Sequence, residues 1–173
     1  MKPYAQGKFD QLCGVYALIN AHRLIYPALS VRTHRNLFAQ CLEWLHGRDL
    51  LLGAANEGLH VNQLLSMNKA VFAPRFPDIA VRRPFLCRKA TLSIAWKDTA
   101  AFLTEEQRAI ITLFGTDNWS HWTVIQSVAQ HSVSLFDSID FHRLTKKGCV
   151  SPDIPSGRYT VYPTHMLFLE ARG

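Results

Sequence analysis

The sequence predicts an α+β fold in which N-terminal helices pack on a C-terminal antiparallel β-sheet. Three observations lead there. Apolar residues recur at helical spacing over the first 70 positions. After Pro74 the pattern becomes short apolar runs and alternation. The two kinds of segment are segregated along the chain, whereas a parallel sheet needs them interleaved. With 173 residues, 48% hydrophobic and 18% charged, the chain is long and apolar enough for one packed domain. That domain is taken as 1–173, with a helical half over about 1–72 and a sheet half over about 78–173. The same balance excludes a disordered tail, a collagen-like rod and a long coiled coil.

The first helix is expected over 13–26, where apolar residues dominate and Pro27 ends the run. Ser30 is the expected N-cap of a second helix, which carries Leu37, Phe38, Cys41, Leu42 and Leu45 on one stripe and stops at Gly47. A third is expected over about 59–71. Residues 79–81, 85–87 and 92–94 read as short strand-like pieces, and 100–107 as a short helix or turn. Three stronger strands follow at 109–114, 122–128 and 132–136, with two more at 158–162 and 166–169.

The net charge of +6 is unevenly placed. Lys69, Arg75, Arg82, Arg83, Arg88, Lys89 and Lys97 face a single acid, Asp78, within 69–97. A segment of this kind attracts acidic proteins or nucleic acid, or simply forms a solvated face. Without interleaved aromatic residues the solvated face is preferred, and no nucleic-acid partner is expected. No apolar run is long enough to span a membrane, and residues 1–8 lack the apolar stretch of a secretory signal. A cytoplasmic protein with no membrane partner is therefore expected. Cys13, Cys41, Cys87 and Cys149 are too scattered for a zinc motif, and a disulfide framework is not expected, so no metal or other cofactor is assigned.

The chemistry concentrates in two stretches. In Gln6-Gly7-Lys8-Phe9-Asp10-Gln11-Leu12-Cys13-Gly14, a cysteine opens a hydrophobic helix. Backbone N–H groups at a helix start favour an anion, so a thiol placed there is suited to act as a thiolate nucleophile. The bare Gly14 would let another group approach closely beside it. Taken alone, a cysteine such as Cys13 is more often a buried structural thiol. Asp10 is placed to bind the amides of Leu12 or Cys13. In the second stretch His121 precedes a strand, and Asp137 ends the next one. A turn at Ala129-Gln130 puts His121 opposite position 138, and a one-residue change in loop length brings it face to face with Asp137. That carboxylate would fix the imidazole tautomer while the other ring nitrogen faces the thiol. Asp117 and Asp140 rank below Asp137 for this role. Trp119 and Trp122 flank the histidine, either as core or as a shield for the His–Asp bond. His22 and His34 read as surface or boundary residues, and Cys41 as core.

The order Cys13, His121, Asp137, with a glutamine shortly before the cysteine, resembles the papain-like cysteine peptidase superfamily. In layout it is most similar to the bacteriocin leader (double-glycine) peptidases, in which the aspartate follows the histidine by about sixteen residues, as here. The resemblance covers the two catalytic stretches and the helix-then-sheet order, not the middle of the chain. It implies a papain-like fold with Cys13 as nucleophile, His121 as general base and acid, and Asp137 as the orienting carboxylate. It also implies an oxyanion hole formed by a glutamine side chain and the Cys13 backbone N–H. The family's glutamine stands six residues before the cysteine, where this chain has Gly7. Gln6 is the preferred candidate and Gln11 the alternative.

The expected function is a thiol hydrolase that cleaves a peptide or isopeptide bond through a thioester. The substrate would be a protein or peptide, acidic and ubiquitin-like ones included. The same site could serve deamidation or transglutamination. Two readings from other classes are a non-catalytic papain-like module that binds such a protein through 69–97, and a nucleic-acid-binding domain. An active peptidase in its own cytosol needs a narrow substrate, a regulator, or delivery into another cell as an effector or toxin.

Overall fold

In the computed structural model, which describes residues 1–8, 10–88, 90–154 and 157–172, the chain forms five α-helices and eight strands among those residues. The helices α1 (Cys13–Ile25), α2 (Val31–His46), α3 (Leu51–Glu57) and α4 (Val61–Met67) come first, and α4 runs on into a π-helical turn, Asn68–Phe72. Then come β1 (Ile79–Arg82), α5 (Leu92–Phe102), β2 (Arg108–Thr116), β3 (Trp119–Val128), β4 (Ser132–Phe136), β5 (Arg143–Thr145), β6 (Cys149–Val150), β7 (Tyr159–Val161) and β8 (Leu167–Ala171). No helix among the described residues is long and apolar enough to cross a membrane.

One sheet runs β1-β8-β2-β3-β4-β5 with every pair antiparallel. β7 joins the far end of β2 and pairs in parallel with β6. Because side chains alternate across a strand, neighbours such as Ile110 and Ile111 enter different cores. On one side Ile111, Trp122, Val124 and Leu167 meet Val15, Leu18 and Ile19 of α1 and the other N-terminal helices. On the other side Ile110, Phe114, Ile125 and Leu135 meet Ala95, Trp96 and Phe102 of α5. α1 is buried nearly all round, as expected of a helix enclosed by other elements.

The expected helix-then-sheet order holds, with corrections inside the sheet half. Residues 92–94 begin α5 rather than a strand. Ala95, Trp96, Thr99 and Phe102 make a helical stripe that a three-residue window cannot reveal, and the Thr91 side chain caps the helix by accepting the Ile94 N–H. Helices therefore cover both faces of the sheet. No strand forms at 85–87, where Phe85 instead plugs the second core edge-on to Phe168. The helix expected over 59–71 starts at Val61 and divides into α4 and the π turn. α3, β5 and β6 were not foreseen. They are too short for periodicity to register. Ser30 caps α2 as expected, accepting the Thr33 N–H at 3.1 Å.

His22 and His34 are buried, not at the surface. The His22 Nδ1–H donates to the Leu18 carbonyl at 2.8 Å, and the ring lies tilted against Phe72. Burial, against the Leu18 hydrogen bond, pushes its pKa down to about 4, so it is a neutral core residue at neutral pH. Cys41 is core as expected, and burial raises its thiol to about 12.

Candidate active site

Cys13 opens α1, and its preceding loop is built to hold it there. The Asp10 carboxylate accepts the Leu12 N–H at 3.1 Å, and the Gln11 N–H donates to the Ala55 carbonyl at 2.8 Å. Gly14 allows the close approach expected of it. A Cβ there would stand 3.1 Å from Leu64 and 3.2 Å from Leu59, so the groups that come close are the chain's own leucines.

The structure brings Cys13, His121 and Asp137 together. The Trp122 backbone N–H donates to Cys13 Sγ at 3.5 Å, which sets the sulfur against β3 beside His121. His121 Nε2 lies 2.7 Å from Asp137 Oδ2, leaving Nδ1 as the ring nitrogen available to the thiol. All three are enclosed, at 3%, 4% and 1% exposure respectively. The route to the His–Asp contact differs from the expected one. β4 pairs Val124 with Phe136, and the register shifts between Ile125 and Ser127. Continuing that register sets Asp137 opposite Thr123, so the carboxylate reaches His121 along the diagonal rather than face to face.

Electrostatics favour an ion pair here. Burial pulls the His121 pKa down, but the Asp137 hydrogen bond, the Cys13 thiol and the charge of both outweigh it, raising it to about 9. Burial pushes the Asp137 carboxyl up, but the hydrogen bond and charge of His121 outweigh it and hold the carboxyl below its ordinary range. The Ile139 and Phe141 N–H groups donate to Asp137 Oδ1 at 2.8 and 3.2 Å, which fixes its orientation. Asp140 sits nearby in the left-handed backbone region (φ 61°), but Asp137 is the carboxylate on the imidazole.

Gln6 lies in the same cleft as His121, and so does Gln11. The Gln6 N–H donates to the Ser138 carbonyl at 2.8 Å, its Oε1 accepts the Ser138 hydroxyl at 3.4 Å, and its Nε2 donates to the Asp10 carbonyl. One Nε2 proton is engaged in this way, and an amide has two. Upstream, buried Asn20 of α1 accepts the Tyr4 N–H and donates to the Tyr4 carbonyl, pinning the stretch that delivers Gln6. Neither Asn20 nor Ser138 was singled out in the sequence. A lone Asn inside an apolar helix was the available signal, and Ser138 offered none.

The two tryptophans part company. Trp122 is buried and its indole N–H donates to the Leu59 carbonyl at 2.7 Å, tying the loop before α4 to β3. Trp119 is exposed and edge-on to Phe114, which in turn stands edge-on to His121 at 5.8 Å between centroids.

The basic segment is partly neutralised. Arg82 pairs with Glu170 at 3.0 Å and Arg88 with Asp98 at 3.3 Å, while Arg83 donates to the Thr164 carbonyl; Lys89 lies outside the described residues. A cavity of about 730 Å³ beside it, lined by Cys87, Arg88 and Asp153 among others, shares no residue with the His121 cleft. Among the described residues no group of three or more His, Cys, Asp or Glu is placed to hold a metal ion. Comparison with protein-family models, with curated proteins and with solved structures returns no match to this chain.

Proposed function

We propose that the protein is a papain-like cysteine hydrolase that cleaves a peptide or isopeptide bond through a thioester on Cys13. One observation carries the reading: an imidazole anchored to a buried carboxylate at 2.7 Å, with its other face toward a helix-start thiol. The N-terminal helices packed on one face of the sheet, with Cys13 of α1 set against β3, support a papain-like layout.

In this reading His121 Nδ1 takes the Cys13 proton and the thiolate attacks the carbonyl carbon. The oxyanion that forms is met by the Cys13 backbone N–H and the free Nε2 proton of Gln6. The C–N bond breaks as imidazolium gives its proton to the departing amine. Water then loses a proton to His121, attacks the thioester carbonyl, and the C–S bond breaks to return the thiolate. Asp137 stays ionised throughout and keeps Nε2 protonated. Attack by an amine in place of water gives transglutamination at the same site.

Cys87 supplies an internal control, being exposed and free where Cys13 is enclosed. Limiting iodoacetamide is expected to label Cys13 ahead of Cys87 in the native protein, and His121→Ala to reverse that order. Labelling of Cys87 first, with Cys13 indifferent to His121, overturns the proposal.

A further inference from the structure

Two large apolar side chains stand in solvent beside His121 and Asp137, at the same offset from each. Trp119, two residues before His121, is 40% exposed, and Ile139, two residues after Asp137, is 47% exposed. Both line the cleft of about 500 Å³ that contains His121 and Gln6. Neither is loosely held. A Cβ on Gly115 would come within 2.2 Å of the Trp119 carbonyl, so the hairpin packs too tightly there for any other residue. The indole lies edge-on to Phe114 with centroids 5.5 Å apart, and the Ile139 N–H is bound by Asp137. Exposed apolar residues scattered singly need no explanation, but a rigid pair at the mouth of a cleft marks a binding surface.

The role of His121 says which part of a substrate meets that surface. On the hydrolase reading above, His121 gives its proton to the departing amine, so groups beside it touch the residue that leaves. We infer that this cleft selects a large aliphatic or aromatic side chain on the residue supplying the leaving amine, seated between Trp119 and Ile139. Asp10 and Asp140 border the same cleft and outnumber Lys8, which disfavours an acidic side chain at this position. The inference rests on the hydrolase reading and adds a specificity to it.

Amine capture of an acyl-enzyme tests this without a known substrate. p-Nitrophenyl acetate acetylates Cys13 and releases p-nitrophenolate. An amino-acid amide occupying the leaving-group position then loses a proton to His121, its nitrogen bonds to the acetyl carbon, and the C–S bond breaks to restore the thiolate. Leucinamide and phenylalaninamide are expected to yield roughly 10-fold more acetylated amide than glycinamide at equal free amine, the low end for an apolar pocket. In Trp119→Ala and Ile139→Ala that ratio falls toward one, while Trp119→Phe keeps it. Because the ratio is taken within each variant, partial loss of folded protein does not move it. Equal capture of glycinamide and leucinamide by the native protein, or a ratio that survives both alanine variants, overturns the inference alone. Absence of a Cys13-dependent acetylation burst overturns the hydrolase reading and the inference with it.

Discussion

At the scale of single residues, the raised pKa of His121 and the lowered pKa of Asp137 have opposite consequences for stability. A folded-state value of about 9, above the ordinary 6.5, means the His121 contribution is fully present below about pH 6.5 and is lost as pH rises through 9. It amounts to something on the order of 3 kcal/mol across that span. The Asp137 contribution is present above its ordinary value, near 4, and disappears as pH falls through the depressed one. Urea midpoints of the native protein are therefore expected to fall between pH 6.5 and 9.5. In Asp137→Asn the alkaline decline moves to lower pH, because the imidazolium has lost its counter-charge. A decline unmoved by that substitution removes the coupling. The same variant is expected to hydrolyse p-nitrophenyl acetate on the order of 100-fold more slowly, since a neutral amide still accepts the imidazole N–H but no longer stabilises the imidazolium. The three residues of the candidate site were legible because each carries a chemical signature: a thiol at a helix start, an imidazole near a strand start, a carboxylate at the next strand's end. The burial of His22 was not, since its partner is a backbone carbonyl one turn back and any helix offers one.

Elements determine how closely those groups approach. Gly14 sits where α1 touches Leu59 and Leu64, and Leu59 in turn holds Trp122 through its carbonyl. Gly14→Ala requires both leucines to give way by a few tenths of an ångström and is expected to cost about 1–3 kcal/mol. Thermal melting measures that loss, and unchanged stability means the leucines have slack the packing does not reveal. Gly115→Ala meets backbone instead of side-chain tips, so it is expected to cost more, at least about 3 kcal/mol, and to displace Trp119. Strand existence was legible from alternation across 122–128 and 132–136. Their register was not, because the irregularity between Ile125 and Ser127 leaves the apolar pattern intact while moving every later pair. α5 was misread for a related reason: Leu92 and Ile94 alternate like a strand until Trp96, Thr99 and Phe102 are counted with them.

For the molecule as a whole, one sheet separates two apolar layers, and the candidate site lies where they meet. Cys13 belongs to the layer beneath α1, while His121 packs against Phe114 of the opposite layer. Loosening either layer is expected to misalign the pair. Leu18→Ala, deep in the first layer, is expected to cost about 2–5 kcal/mol by urea titration and to slow iodoacetamide labelling of Cys13 as well. A destabilised variant that labels at the native rate means the alignment is held locally. The overall architecture was legible because segregated periodicities leave few arrangements. The second layer was not, because α5 lies inside a half otherwise made of strands.

The contact between the Trp122 amide and the Cys13 sulfur turns a backbone proton into a reporter. In a nitrogen–proton correlation spectrum its resonance is tied directly to the electron density on that sulfur. It moves downfield when the acceptor becomes an anion and shifts again when the sulfur is capped. The protonation of Cys13 is thus readable by nuclear magnetic resonance at one assigned peak, without a substrate, a label or a mutation.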